Sequence, residues 1–219
     1  MKVIITGTTG MVGESVLLEC LNNPIITEVL SVSRKPAGKQ HPKLKEYIVP
    51  DFGVLNENDE NLQGYDACFF CAGTTSMGMN EEQYRRITYD TTIHFAKVLN
   101  PNPALSFTYI TASGTDSEEK AHIMWKRVKG KTENDLMKLP FKQAFAFRIG
   151  FVIPAAGHQY ALKFYKYVSW LFPLMYVLFP NLITTAKQIA DAMIYVSRNG
   201  YESNIIHVKD IRKIEKILT

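Results

Sequence analysis

The chain has 219 residues, 46% hydrophobic and 21% charged, a length and balance that fit one α/β domain with a small added lobe and exclude a disordered or fibrous chain. The formal net charge of +4 is scattered, without a block of like charges or a zinc or RNA-binding signature, so nucleic acid is not expected as a partner. Three cysteines make no secreted disulfide framework, and the N-terminus opens straight into an apolar run with no signal peptide, so a cytoplasmic protein is expected.

In chain order, strand-like apolar runs alternate with helical patterns. KVIIT is followed by a glycine turn and the amphipathic run MVGESVLLECLNN, and EVLSVSR and EYIVPD are the next two strands. DACFFCAG is a fourth strand and NEEQYRRITYDTTIHFAKVLN a long helix. ALSFTYITAS is a fifth strand, SEEKAHIMWKRVKGKTENDLMKL its helix, and FKQAFAFRIG a sixth strand. Strands separated by helices imply βαβ crossovers and a parallel sheet, and strands apolar almost throughout are expected when helices cover both faces. Cys68 and Cys71 lie three apart on one strand and so point to opposite faces, which makes them core thiols rather than a redox pair.

After residue 151 the pattern changes. Residues 160–180 are rich in aromatics, but Lys163, Lys166 and Pro173 interrupt them, and a spanning helix needs about 20 apolar residues. A helix that buries its apolar face against the domain is expected there, with a membrane-surface or partner-binding helix as the alternative. TTAKQIADAMIYVSRN is an amphipathic helix, NIIHV a short strand and DIRKIEKIL a terminal helix. The expected fold class is α/β, a Rossmann-like doubly wound parallel sheet over residues 1–219, with 151–219 forming a small C-terminal helical lobe on the same sheet.

Gly7, Gly10 and Gly13 have GxxGxxG spacing between the first strand and the first helix. Glycine is needed where the backbone turns tightly or approaches a phosphate, and the helix start offers free N–H groups and a positive dipole to a pyrophosphate. Thr9, Met11 and Val12 complete this turn. An NAD binder usually ends its second strand with Asp or Glu, whereas this chain has Ser33, Arg34 and Lys35, which suit a 2′-phosphate and predict NADP(H). Asp51 and Phe52, after the third strand, stand where such folds contact adenine. Ligands lie outside the carboxyl ends of the strands, so Cys71, Ala72, Gly73, Thr74 and Thr75 are expected beside the cofactor.

TGTTGMVG, SRK, CAGTT, TASG, VKGKTE and FRIGFVIP, taken in order over roughly residues 1–155, resemble the atypical short-chain dehydrogenase/reductases, in particular their Tat-interacting-protein-like branch and bacterial epimerase/dehydratase-like relatives. The resemblance implies a Rossmann-like domain that binds NADP(H), with an active site of serine or threonine, tyrosine and lysine. Ser113 falls on the serine position and Lys129 on the lysine position, where the resemblance implies a hold on the nicotinamide ribose. Arg148 and Gly150 fall where the chain enters the substrate lobe. The tyrosine position is Trp125, whose indole has no acidic proton to give.

Residues 125 and 129 share one helix face, so Trp125 stands beside whatever Lys129 meets. Trp125 reads either as a core aromatic or as a ring stacking on nicotinamide or substrate. Other proton donors are open: His122, Tyr84, Tyr89, Tyr160, Tyr165, or Lys129 itself if burial lowers its pKa. The remaining histidines are dispersed, so no metal is expected. Two functions follow. One is an NADPH-dependent reductase of a small, mostly apolar carbonyl or quinone-like substrate, suggested by Phe151, Phe164, Trp170 and Phe172. The other is a non-catalytic NADP(H)-binding sensor or regulatory module.

Overall fold

The computed structural model describes residues 1–57, 59–153 and 181–219. The aromatic run at 160–180, with His158, Tyr160, Tyr165, Phe164, Trp170 and Phe172, lies outside the described residues. Seven strands form one parallel sheet: β1 (Lys2–Thr6), β2 (Glu28–Ser33), β3 (Leu44–Ile48), β4 (Ala67–Phe70), β5 (Ser106–Ala112), β6 (Gln143–Ile149) and, late in the chain, β9 (Ile205–His207). Their spatial order is β3-β2-β1-β4-β5-β6-β9, so the chain runs outward from β1 in one direction and then crosses back to run outward in the other. That reversal at β1 and β4 makes the crevice in which doubly wound sheets bind ligands. Two further strands, β7 (Phe151–Ile153) and β8 (Ile183–Thr185), pair in parallel as a separate ribbon.

Each sheet face has its own core. On one face α1 (Met11–Asn22), α5 (Ala186–Asn199) and α6 (Val208–Leu218) bury Val16, Leu17, Ile189, Met193, Ile211 and Ile214 against Val3, Ile5, Phe145 and Phe147. On the other, Phe95, Leu99 and Leu136 cover Phe70, Phe107 and Tyr109. Alternate residues of one strand therefore enter different cores, as the side-chain period of two requires. Cys68 is buried in the second core while Cys71 packs on the first, which keeps the two thiols apart on opposite faces. Among the described residues after 181, β9 extends the sheet and α5 packs on α1.

Two helices differ from the periodic pattern. The long helix is α2 (Glu81–Arg85) and α3 (Thr91–Val98) joined through a π-helical turn at Arg86–Asp90. Within it Thr91 Oγ1 and Thr92 Oγ1 donate back to the carbonyls of Arg86 and Thr88. The next helix, α4 (Met124–Leu136), begins seven residues later than the pattern from Ser117 predicts. The cause is Asp116, whose carboxylate accepts from the amides of Glu118, Lys120 and Ala121 and folds that segment into turns. Side-chain acceptors of this kind compete with helical hydrogen bonding.

Candidate cofactor and active site

The glycine turn is built by close approach. Gly7 has φ of +70°, and a Cβ there would lie 2.7 Å from the Ala72 backbone. Thr6 Oγ1 accepts from the amides of both Cys71 and Ala72 at 3.1 Å, so the ends of β1 and β4 are clamped together under the turn. A Cβ on Gly13 would meet the Gly7 carbonyl oxygen at 2.1 Å, so the first turn of α1 can sit this close only with glycine. Gly10 caps α1 without any side-chain hydrogen bond. The first intrahelical bond runs from the Glu14 amide to the Gly10 carbonyl at 2.8 Å, so the amides of Met11, Val12 and Gly13 before it are the unsatisfied donors with which a helix start meets an anion. Thr9 is half-buried on this turn; Thr8, which sequence reasoning passed over, is buried and hydrogen-bonded to Ser31 at 2.7 Å.

The segment after β2 is pinned at three points. Ser33 Oγ donates to the Lys35 carbonyl at 2.6 Å, the Ala37 amide donates to Glu46 at 2.6 Å, and Lys39 pairs with the buried Glu14 of α1 at 3.1 Å. Arg34 and Lys35 remain exposed, and neither guanidinium nor ammonium has a hydrogen bond or ion pair among the described residues. Asp51 is exposed and caps the short turn Phe52–Val54 by accepting from the Gly53 amide at 2.8 Å. Phe52 turns inward instead, its ring 5.0 Å from Phe95. Gly73, Thr74 and Thr75 are exposed beyond β4, and a Cβ on Gly73 would enter open space. Burial pushes the Cys71 thiol up to about 12, so it stands here as a neutral wall.

A second group gathers beyond β5. The Ser113 amide donates to Ile149, and its hydroxyl to the Arg148 carbonyl at 3.3 Å. Gly114 follows with φ of +86°, and a Cβ there would lie 3.8 Å from the Trp125 ring and 3.9 Å from Lys126 Nζ. Trp125 therefore lies over Gly114, half-buried, and belongs to neither core of the described residues. One turn further along α4, the half-buried Lys129 holds its ammonium 5.4 Å from the centre of the Tyr109 ring, with no hydrogen bond or ion pair among the described residues. Burial lowers its pKa from 10.5 to about 8, against the opposing pull of Glu133. A Cβ on Gly130 would meet the Asp116 carbonyl at 1.8 Å, so α4 is seated directly on the loop that carries Ser113.

Other predicted residues are occupied elsewhere. The Arg148 guanidinium donates through Nε and Nη2 to Glu133 and through Nη2 to Ser117 Oγ, both Nη2 contacts at 2.6 Å, and faces α4. Gly150 lets the Leu182 carbonyl approach where β6 passes into β7; a Cβ there would be 2.2 Å away. The described tyrosines that the sequence offered as proton donors are engaged otherwise. Tyr109 and Tyr84 are buried, and burial raises the pKa of both. The Tyr89 hydroxyl donates a hydrogen bond to Asp135 at 2.7 Å, and that bond raises its pKa. His122 is exposed. Among the described residues no three His, Cys, Asp or Glu side chains gather as metal ligands, and no helix is long and apolar enough to cross a membrane.

A strand order reversing at β1 and β4, with a glycine turn at that reversal, defines a Rossmann-like doubly wound α/β fold. No family model matches the chain. By sequence it is related to protein HTATIP2 of Rattus norvegicus, 25% identical over 155 residues that make up 69% of this chain and 63% of the rat protein. It is 28% identical over 158 residues to the mitochondrial protein fmp52 of Emericella nidulans, covering 69% of this chain and 66% of that one. Both matches span less than two thirds of the relative's own length. The mitochondrial FMP52 of Meyerozyma guilliermondii is 24% identical over 209 residues, 93% of this chain and 88% of the relative.

Solved structures show the same fold. The UDP-N-acetylglucosamine 4-epimerase from Methanobrevibacter ruminantium M1 superposes with a TM-score of 0.65 at 15% identity, covering 99% of this chain and 80% of the epimerase. The oxidoreductase ylbE from Lactococcus lactis gives 0.62 at 15% identity over 100% and 97% of the two chains. The UDP-glucuronic acid 4-epimerase from Bacillus cereus, solved with UDP-glucuronic acid and NAD, gives 0.63 at 16% identity over 100% and 83%. One expectation is corrected by the relatives: the fungal proteins are named as mitochondrial, so the cytoplasmic location inferred from the N-terminal residues does not stand.

Proposed function

We infer that the chain binds NADP(H) in the crevice between the glycine turn and the β4 end, and reduces a small carbonyl or quinone-like substrate beyond β5. The observation that carries the cofactor choice is the pair of exposed cations, Arg34 and Lys35, on a loop pinned through Lys39 to the first turn of α1. The residues fit the cofactor. Uncapped amides at Met11 and Val12 suit a pyrophosphate, Arg34 and Lys35 suit a 2′-phosphate, Asp51 suits the adenine side, and Lys129, which has no hydrogen bond or ion pair among the described residues, suits the ribose hydroxyls. NADPH, when bound, supplies a hydride. The chain supplies orientation, and Ser113 supplies a hydroxyl beside the carbonyl oxygen. The proton for that oxygen comes from Lys129, whose ammonium near pKa 8 is a better acid than an ordinary lysine.

The test is a titration with NADPH and NADH, following reduced-nicotinamide fluorescence. NADPH binds more tightly, and Arg34→Ala weakens NADPH by roughly tenfold to a hundredfold while leaving NADH unchanged, as expected for one hydrogen bond to a charged group. Equal affinity for the two cofactors, or an Arg34→Ala protein with unaltered NADPH binding, would overturn this choice.

A second reading is favoured by Trp125. It occupies the position of the missing acid, and the described tyrosines that the sequence offered as proton donors are engaged otherwise. On that reading the chain is an NADP(H)-dependent sensor, which binds cofactor tightly without turnover. Steady NADPH consumption across a panel of carbonyls and quinones excludes the sensor; its absence excludes the reductase.

A further inference from the structure

We propose that the substrate is a planar carbonyl compound bearing a carboxylate or phosphate, its ring against Trp125 and its anionic group on Lys126. This rests on reading the carboxyl end of β5 as the substrate side of the cofactor site, and it deepens that reading. Trp125 and Lys126 reach over the same spot, the bare backbone of Gly114 next to Ser113: a Cβ there would lie 3.8 Å from the Trp125 ring, 3.8 Å from Lys126 Cε and 3.9 Å from Lys126 Nζ. The Lys126 ammonium stands 5.7 Å from the centre of the Trp125 ring. It is half-buried, and has no ion pair or hydrogen bond among the described residues.

The carboxylates nearby are committed elsewhere. Asp116, on the same loop, accepts from three backbone amides. Glu133 is taken by Arg148. Beside Ser113, the bare backbone of Gly114 therefore carries over it one indole and the Lys126 ammonium, which has no ion pair among the described residues. A neutral carbonyl compound would leave Lys126 unused. An anionic one gains a charge-assisted hydrogen bond and is drawn in by the local field, while the indole face takes a planar ring. An ammonium is a point charge that donates to a carboxylate or phosphate oxygen, so the geometry names the anion and the ring together.

Three aldehydes of similar size separate the possibilities: 4-formylbenzoate, 4-formylphenyl phosphate and the neutral 4-methylbenzaldehyde. Calorimetric titration of each into the free protein and into protein held at saturating NADP⁺ reads binding without turnover. Both anionic aldehydes, or one of them, bind about tenfold or more tightly than the neutral one. Lys126→Met removes that preference, Lys126→Arg keeps it, and Trp125→Ala weakens all three alike. NADPH affinity and the unfolding midpoint stay unchanged in Lys126→Met, which separates recognition from a structural role. Equal binding of the three aldehydes, including no detectable binding of any, or a preference that survives Lys126→Met, would overturn the proposal. The NADPH titration on the same preparations keeps the two readings distinct: if NADPH fails to bind, the cofactor assignment falls, and the aldehyde preference of the free protein still decides this one.

Discussion

Arg148→Met destabilises the protein by about 3–5 kcal/mol, a large part of the total stability of a typical domain. The Glu133 side chain is fully buried and that of Arg148 only 12% exposed, so removing the guanidinium leaves a carboxylate with neither water nor its partner. Both Nε and Nη2 of Arg148 bond this carboxylate, and Nη2 also holds Ser117. Lys129 stands four residues before Glu133 on α4 and already feels its charge. In the variant it takes over part of the pairing, which brings the loss toward the lower end of the range and raises the Lys129 pKa. Truncating both partners together, Arg148→Met with Glu133→Leu, recovers most of the stability because no buried charge is left unpaired. Urea unfolding at unchanged slope measures both. A single variant that loses less than about 1 kcal/mol, or a double variant no better than the single, would contradict a buried ion pair of this kind.

Local pattern made the sheet and the glycine turn legible. Strand and helix alternation from KVIIT to FRIG marks the strands that appear as β1–β6, and the glycine spacing marks a turn that the Gly7–Ala72 and Gly13–Gly7 approaches require. What escaped depends on side-chain contacts that apolar periodicity does not carry. Arg148 reads, in a short motif, as part of the entry to the substrate lobe, yet its partner lies 15 residues earlier on a neighbouring helix. The start of α4 was misplaced because three amides bond the Asp116 side chain, a competition that helical periodicity does not register. Glu14 reads as an ordinary first-turn acid, while the structure uses it to anchor Lys39 and so to hold the loop of Arg34 and Lys35. Lys126 had no signal of its own in sequence. Only the left-handed Gly114 beneath it shows that it overhangs the same spot as Trp125.

Lys129→Met is expected to make the protein more stable and less active at once. The pKa of Lys129 falls from 10.5 to about 8 in the folded chain, chiefly through burial, so the folded state is penalised for holding this ammonium. A shift of that size corresponds to at most about 3 kcal/mol, and the residual contact of the side chain with solvent places the expected gain at about 1–3 kcal/mol. The sign fixes the pH window. Below about pH 8 both states carry the proton and the penalty is complete. Between pH 8 and 10.5 the folded chain releases its proton first, the unfolded chain holds more protons, and stability rises with pH. The advantage of methionine is therefore full at pH 7, shrinks through that interval and is gone above it, which denaturant midpoints at pH 7, 9 and about 10.5 would trace. Activity moves the other way. If Lys129 delivers the proton, the wild-type rate falls as pH rises past about 8, and the variant loses roughly 10²–10⁴-fold at pH 7 while NADPH still binds through the glycine turn and Arg34. A variant that gains stability without losing turnover would assign the proton to another donor. One that gains none would mean that the ammonium has a counter-charge in the folded chain.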